Sequence, residues 1–117
     1  MTAGYRIVGG ESGWHYELVG LPDKLLLTGN TYAGRQHCLE SLGTLRLICD
    51  APLDTGCGLR YPKYTVEHTG MGFFVLTLRG KNGRTVARGP ECRSAASASA
   101  ALPEILRTAR TAPVLDA

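Results

Sequence analysis

The feature that most constrains this chain is an order of segments that occurs twice. Each half has three short stretches typical of β-strands, followed by a longer stretch with apolar residues at helical spacing. From residue 14 onward the halves align at an offset of 60 residues without a gap, and before that point the offset is 59. Identities between the halves are few, so the repeat rests on the order of the elements and on matching apolar positions such as Leu18 with Leu78 and Leu42 with Leu102.

Residues that favour turns separate the predicted strands. Pro22–Asp23 follows the second strand of the first half, where proline presets φ and aspartate can bond its own backbone. Asn82–Gly83 in the second half is a strong hairpin signal, because both residues tolerate positive φ. In the strand after that hairpin we expect Val86 to face the core, which places Arg84 and Arg88 on the same side as Val86.

Each half ends in a predicted amphipathic helix. The residues expected on the buried faces are Cys38, Leu42, Leu45 and Cys49 in the first helix, and Ala98, Leu102, Ile105 and Ala109 in the second. Ser94 is placed to cap the start of the second helix, since its hydroxyl can accept a hydrogen bond from the first turn. Pro103 falls inside that helix, where it either kinks the helix or opens a fresh turn.

These patterns predict an α+β protein of two tandem βββα repeats that share one antiparallel sheet, with two helices packed on it. One three-stranded sheet with one helix has too small a core to be stable alone, whereas two units can bury their apolar faces together. We expect the first repeat over residues 1–49, a linker over 50–62, the second repeat over 63–111 and a loose tail over 112–117. The repeats are expected to form one globular domain.

Three segments give the chain a family resemblance. They are Gly72-Phe73-Phe74-Val75-Leu76-Thr77-Leu78 with Asn82-Gly83, and the two helices Cys38-x-x-Ser41-Leu42-x-x-Leu45 and Ala98-x-x-Ala101-Leu102-x-x-Ile105. In these segments the chain resembles the YegP-like family of small bacterial proteins, over roughly residues 5–49 and 64–110. The resemblance implies two copies on one continuous antiparallel sheet. It implies no established activity and supplies no catalytic residue.

The residues that could carry chemistry are scattered. The four cysteines, Cys38, Cys49, Cys57 and Cys92, include no C-x-x-C pair, so we expect neither a metal site nor another cofactor. His37 and Cys38 are adjacent, but neighbouring residues on a helix point in different directions and cannot form a catalytic pair. No pair of carboxylates is placed for acid–base work. We therefore expect a protein that is not an enzyme.

The location of the protein is also an expectation from the sequence. The longest unbroken apolar run is Phe73–Leu76, which is far too short to cross a membrane. The first six residues contain no apolar segment, so no signal peptide is expected. These two features favour a soluble cytoplasmic protein with no membrane partner.

One cluster of charge has functional weight. The net charge of +3 is uneven, because residues 1–58 carry −2 and residues 59–117 carry +5. Five basic residues lie within 15 positions of the second half, with Glu91 as the single acid among them: Arg79, Lys81, Arg84, Arg88 and Arg93. They form either a solvated rim or a surface for an anionic partner. The opposite charges of the halves leave self-association open as well.

These observations favour a small non-catalytic binding or structural module, whose partner is a protein, a second copy or an unidentified ligand. The alternative is a weak nucleic-acid-binding protein that uses the basic hairpin over residues 79–93. The alternation of the strands counts against one continuous basic stripe, and no exposed aromatic residues accompany the basic ones. A small-molecule cleft at the seam between the repeats also stays open.

Overall fold

A computed structural model describes residues 3–21, 24–50, 64–80 and 84–115. Within these ranges the chain forms one sheet of seven strands, with helical segments packed on it. The elements are β1 (Gly4–Gly10), β2 (Gly13–Gly20), β3 (Lys24–Gly29), α1 (Arg35–Asp50), β4 (Tyr64–His68), β5 (Phe74–Arg79), β6 (Thr85–Arg88), α2 (Ala95–Ala100), α3 (Leu102–Thr111) and β7 (Val114–Leu115).

The order of strands across the sheet reflects the repeat. It is β4-β5-β6-β3-β2-β1-β7, so the three strands of each unit stay together and β6 joins β3 at the middle. At that junction Thr28 pairs with Arg88, two residues that are equivalent at the offset of 60. The bridges Trp14–Tyr32 and Phe74–Cys92 are equivalent at the same offset. The prediction of two βββα units that share one sheet is confirmed.

The end of the chain differs from the predicted loose tail over residues 112–117. Val114–Leu115 form β7, which pairs parallel to β1, so the sheet is mixed rather than wholly antiparallel. The Tyr5 amide donates to the Pro113 carbonyl at 2.9 Å, and Ala112 is buried. A loose tail is therefore wrong for residues 112–115. The other predicted boundaries stay a prediction, since linker residues 51–62 lie outside the described ranges.

The core lies between the helices and one face of the sheet. The two predicted helical faces are confirmed, because each of their eight residues is at most 7% exposed. From the sheet, Tyr5, Tyr16, Leu18 and Leu78 join the same apolar cluster. A single cluster drawn from both units explains why the two repeats form one body.

Alternation along the strands breaks at equivalent places in the two units. The register of β2 with β3 shifts between Leu18 and Val19, and that of β5 with β6 shifts between Leu78 and Arg79. Each shift is a β-bulge, in which one strand has an extra residue. Val86 is that residue in β6, and Ala87, fully buried, takes the main core position. Val86 packs against the core cluster, as expected, but Ala87 next to it faces the core as well. The expectation that Arg88 lies on the same side as Val86 is therefore wrong.

The second helical segment is divided at Ala101. α2 ends at Ala100, and α3 begins at Leu102 with Pro103 in its first turn, where the missing N–H costs no helical hydrogen bond. Of the two alternatives for Pro103, the structure has the fresh start. Ser94 caps α2 as predicted, with its Oγ accepting from the Ser97 amide at 3.1 Å.

Two further predictions concern turns and membranes. The predicted turns at Pro22–Asp23 and Asn82–Gly83 lie outside the described residues. Over the parts of the chain that the structure describes, no helix has the length and apolar character needed to cross a membrane.

Candidate anion-binding surface

One line of paired residues crosses the face of the sheet that is turned away from the helices, which we call the outer face. Residues directly opposite each other on antiparallel strands project to the same face, so the register defines which side chains are neighbours. From β4 to β1 this line, the outer row, consists of Thr65, Thr77, Arg88, Thr28, Glu17 and Arg6.

In the first unit, the two charged residues of the outer row form an ion pair with each other. Arg6 Nη2 lies 3.0 Å from Glu17 Oε1, and His15 Nε2 lies 3.4 Å from Glu17 Oε2. The Glu17 carboxylate thus has a cationic partner on β1 and an imidazole two residues away on its own strand. At this end of the outer row, the charges of Arg6 and Glu17 therefore compensate each other.

The second unit carries two threonines at the equivalent places. Thr65 and Thr77 face each other across β4 and β5, and among the described residues the buried hydroxyl of each has no hydrogen-bond partner. Thr77 is fully buried although it lies on the outer face. Arg79 Nη2 and Glu67 Oε1 form an ion pair at 2.8 Å. Because the threonines lie between Arg79 and Glu67 in the register, this ion pair passes across them.

Arg88 occupies the middle of the outer row. It lies between Thr77 on β5 and Thr28 on β3, and it is exposed to solvent. In the described part of the chain Arg88 makes no hydrogen bond or ion pair. A guanidinium always carries its charge in a protein, so Arg88 places at the centre of this face a positive charge that no described acidic side chain pairs with.

The structure separates those of the five predicted site residues that it describes. Arg79 and Arg84 lie at one end of the β5–β6 pair, and Arg88 lies further along β6. Arg93 follows the bridge from Cys92 to Phe74 at the other end of β5, about 17 Å away along the strand. Arg79 has a carboxylate partner, and Lys81 lies outside the described residues. The four residues that the structure describes therefore do not form one compact cationic cluster.

The β-bulge in β6 is the feature that sequence reasoning missed. Because Val86 is the extra residue, Arg79 and Arg88 both belong to the outer face and are diagonal neighbours across Thr77. The first unit holds the signal for this bulge, since its equivalent strand has the apolar run Leu25–Leu27 in which Leu26 and Leu27 are both buried. Two consecutive buried residues are incompatible with strict alternation.

Other reactive side chains are apart from one another. Cys38 is fully buried on α1, and burial raises the pKa of its thiol. His68 lies on edge strand β4 with its ring 4.9 Å from the Phe74 ring, far in sequence from His15 on β2. Among the described residues no three histidine, cysteine or acidic side chains are close enough together to hold a metal ion.

The sheet order, the paired units and the helices on one face define the class of fold: an α+β protein of two βββα units, as the resemblance to the YegP-like family implied. No family model matches the sequence, and no curated protein matches it.

Two solved structures have this same fold. The UPF0339 protein SO3888 from Shewanella oneidensis matches with a TM-score of 0.79 and 14% identity, over 99% of this chain and 92% of that one. The protein yegP from E. coli, described as a protein of unknown function, matches with a TM-score of 0.79 and 13% identity, over 99% of this chain and 93% of that one. At this level of identity the likeness is one of fold.

Proposed function

We propose that the protein is a non-catalytic binding module that takes an anionic partner on the outer face of its sheet. The observation that carries this proposal is the exposed, unpaired guanidinium of Arg88 at the centre of the outer row. The helices pack on the opposite face, so none of the described helices covers the outer face. An uncompensated charge there attracts anions and orients them over the neighbouring threonines.

The chemistry of the other candidates supports a role without catalysis. A nucleophilic cysteine acts as its thiolate, but burial raises the pKa of Cys38 and keeps the thiol protonated. His15 lies beside Glu17, which is already engaged by Arg6. The acid that lies beside His15 is thus engaged in an ion pair rather than available as a catalytic partner.

A nucleic acid is the second candidate partner, because its phosphates would suit an exposed arginine. The separation of the basic residues limits the extent of such binding. With Arg79 held by Glu67 and Arg93 at the far end of β5, Arg84 and Arg88 remain the exposed basic residues of the described hairpin. Few phosphate contacts predict weak binding that decreases moderately with salt.

The test uses two anionic probes: a short single-stranded DNA and a short poly-aspartate peptide. Amide NMR shifts of the full chain are followed while each probe is added at low salt. We expect shifts at Thr28, Thr77 and Arg88, which Arg88→Glu abolishes and the control Arg107→Glu, on the exposed side of α3, retains. Binding of the DNA alone favours the nucleic-acid form of the proposal.

Two results count against the proposal. Shifts confined to the helical layer would place the binding surface elsewhere. If neither probe shifts the outer face at low salt, Arg88 belongs to a solvated rim, which is the ordinary state of surface arginines.

A further inference from the structure

Two of the three threonines of the outer row, Thr65 and Thr77, are an unusual feature for a protein interior. They face each other, and the buried hydroxyl of each has no hydrogen-bond partner within the described ranges. Threonine pairs across strands commonly hydrogen-bond to each other, and buried hydroxyls nearly always find a partner. An unpaired buried hydroxyl lowers stability, whereas valine has the same shape without that cost. Two such hydroxyls on one face call for a ligand that uses them.

The surroundings of the two hydroxyls are cationic. Arg88 is directly opposite Thr77 on β6, and Arg79 is two residues beyond Thr77 on β5, so both belong to the same face. Residues at diagonal positions across neighbouring strands are about 7–8 Å apart, within the reach of two arginine side chains that approach one ligand. The anion that Arg79 now binds is the Glu67 carboxylate, at 2.8 Å.

The first unit offers an internal comparison. Glu17 is the equivalent of Thr77, and Arg6 is the equivalent of Thr65, as both the offsets and the strand register require. In the first unit the outer row thus contains its own anion, which Arg6 binds at 3.0 Å. The second unit has hydroxyl donors and nearby guanidiniums at the equivalent place, but the outer row there has no carboxylate.

We propose that Thr65, Thr77, Arg79 and Arg88 form a binding site for a phosphate group, either free or as a monoester. Arg79 turns from Glu67 to the phosphate, which uncovers the two hydroxyls so that they donate to its oxygens. Arg88 supplies the second guanidinium, and Glu67 competes with the ligand for Arg79. A tetrahedral oxyanion suits such a site because it accepts hydrogen bonds in several directions. This inference rests on the proposed function and specifies its ligand.

The test measures phosphate binding to the full chain by calorimetry, at constant ionic strength, with inorganic phosphate and with glycerol 3-phosphate as probes. Thr77→Val is expected to weaken binding by about tenfold, because a hydrogen bond to a charged ligand is lost. The same variant should unfold at the same temperature as the wild type or higher. Its control is Thr44→Val on α1, whose hydroxyl bonds the Glu40 carbonyl.

Two further variants break the same ion pair with opposite consequences. Glu67→Gln removes the carboxylate that competes for Arg79 and should tighten phosphate binding by about two- to fivefold. Arg79→Gln removes a ligand-binding group and should weaken it by about tenfold. A control carboxylate away from the sheet, changed as Glu40→Gln on the exposed side of α1, should leave affinity unchanged. Tighter binding of one probe identifies the free or the esterified form as the ligand.

Absence of phosphate binding to the wild type would overturn the inference, as would equal affinities in Thr77→Val, Glu67→Gln and the wild type. If DNA or poly-aspartate still shifts the outer face through Arg88, the proposed function stands without this site. If phosphate binds with the expected dependences and neither polymer binds, the site stands and the partner is a small molecule.

Discussion

The hydroxyl of Tyr5 connects the first strand to the end of the last helix. Tyr5 is fully buried, and its hydroxyl donates to the Ala109 carbonyl at 2.6 Å. That carbonyl lies in the last turn of α3. For Ala109 the residue four positions on is Pro113, which has no N–H. Tyr5 therefore performs for α3 the role that a C-terminal cap would otherwise have.

The change Tyr5→Phe keeps the ring and removes this donor, so its cost is calculable. A buried acceptor left without its partner costs about 1–3 kcal/mol. The entropy of unfolding is about 2.1 cal/mol/K per residue, so for 117 residues each kcal/mol lowers Tm by about 4 °C. The expected decrease in Tm is thus about 4–12 °C. The edge-to-face contact of the ring with Tyr16, at 6.0 Å between centroids, is retained.

The measurement is thermal unfolding followed by circular dichroism, with urea unfolding as a second measure of the free energy. The matched control is Tyr64→Phe on edge strand β4, where the side chain is exposed and the same atom is deleted; its effect should stay within about 0.5 kcal/mol. Equal midpoints for Tyr5→Phe and the wild type would refute the idea that this hydroxyl caps α3.

Two other predictions concern buried tyrosines and glycines. Burial raises the pKa of Tyr5 and of Tyr16, so as pH rises the unfolded chain loses these protons first. Their contribution to stability is complete below about pH 10 and should decrease above it by about 1.4 kcal/mol per pH unit for each tyrosine. The check is urea unfolding of Tyr16→Phe between about pH 9 and 11. If the free energy of unfolding depends on pH as steeply in this variant as in the wild type, the prediction is contradicted. Gly29→Ala would place a Cβ too close to the Tyr16 ring and should cost about 1–3 kcal/mol. Gly43→Ala, in an open part of α1, should instead stabilise by up to about 1 kcal/mol, and equal midpoints for the two variants in thermal unfolding would count against the stated clash.

The sequence predicts the elements and the core of this fold well, because the residues that a helix or strand buries recur at a regular spacing along the chain. The helical faces that include Leu42 and Ile105 follow from spacing alone, and each is realised in the structure. The outer row could not be predicted in the same way. Which residue of β6 lies opposite Thr77 depends on a bulge, and a shift by one residue moves every side chain to the other face. Two correct strands therefore led to an incorrect placement of Arg88.

Strand β7 escaped prediction for a different reason. Val114–Leu115 is too short to display any alternation, and its pairing with β1 depends on where α3 ends. That end is defined by Tyr5 and by Arg46, whose Nη2 donates to the Ala112 carbonyl at 2.6 Å. Both donors come from the first unit, about 60 residues or more away in sequence. Contacts of such range have no local signature.

The position of Arg88 is electrostatically favourable because the two units of the chain are unlike. β3 and β6 pair as equivalent strands, so the residue opposite position 88 is its own counterpart, position 28. In an assembly of two identical units an arginine here would face another arginine, and like charges directly opposite each other are destabilising. With Thr28 as the counterpart, the single guanidinium can stay unpaired at the centre of the sheet. The two units keep equivalent apolar residues such as Leu18 and Leu78 in the core, because packing restricts the side chains there. Packing does not restrict the side chains of the outer rows in this way, and the outer rows of the two units differ.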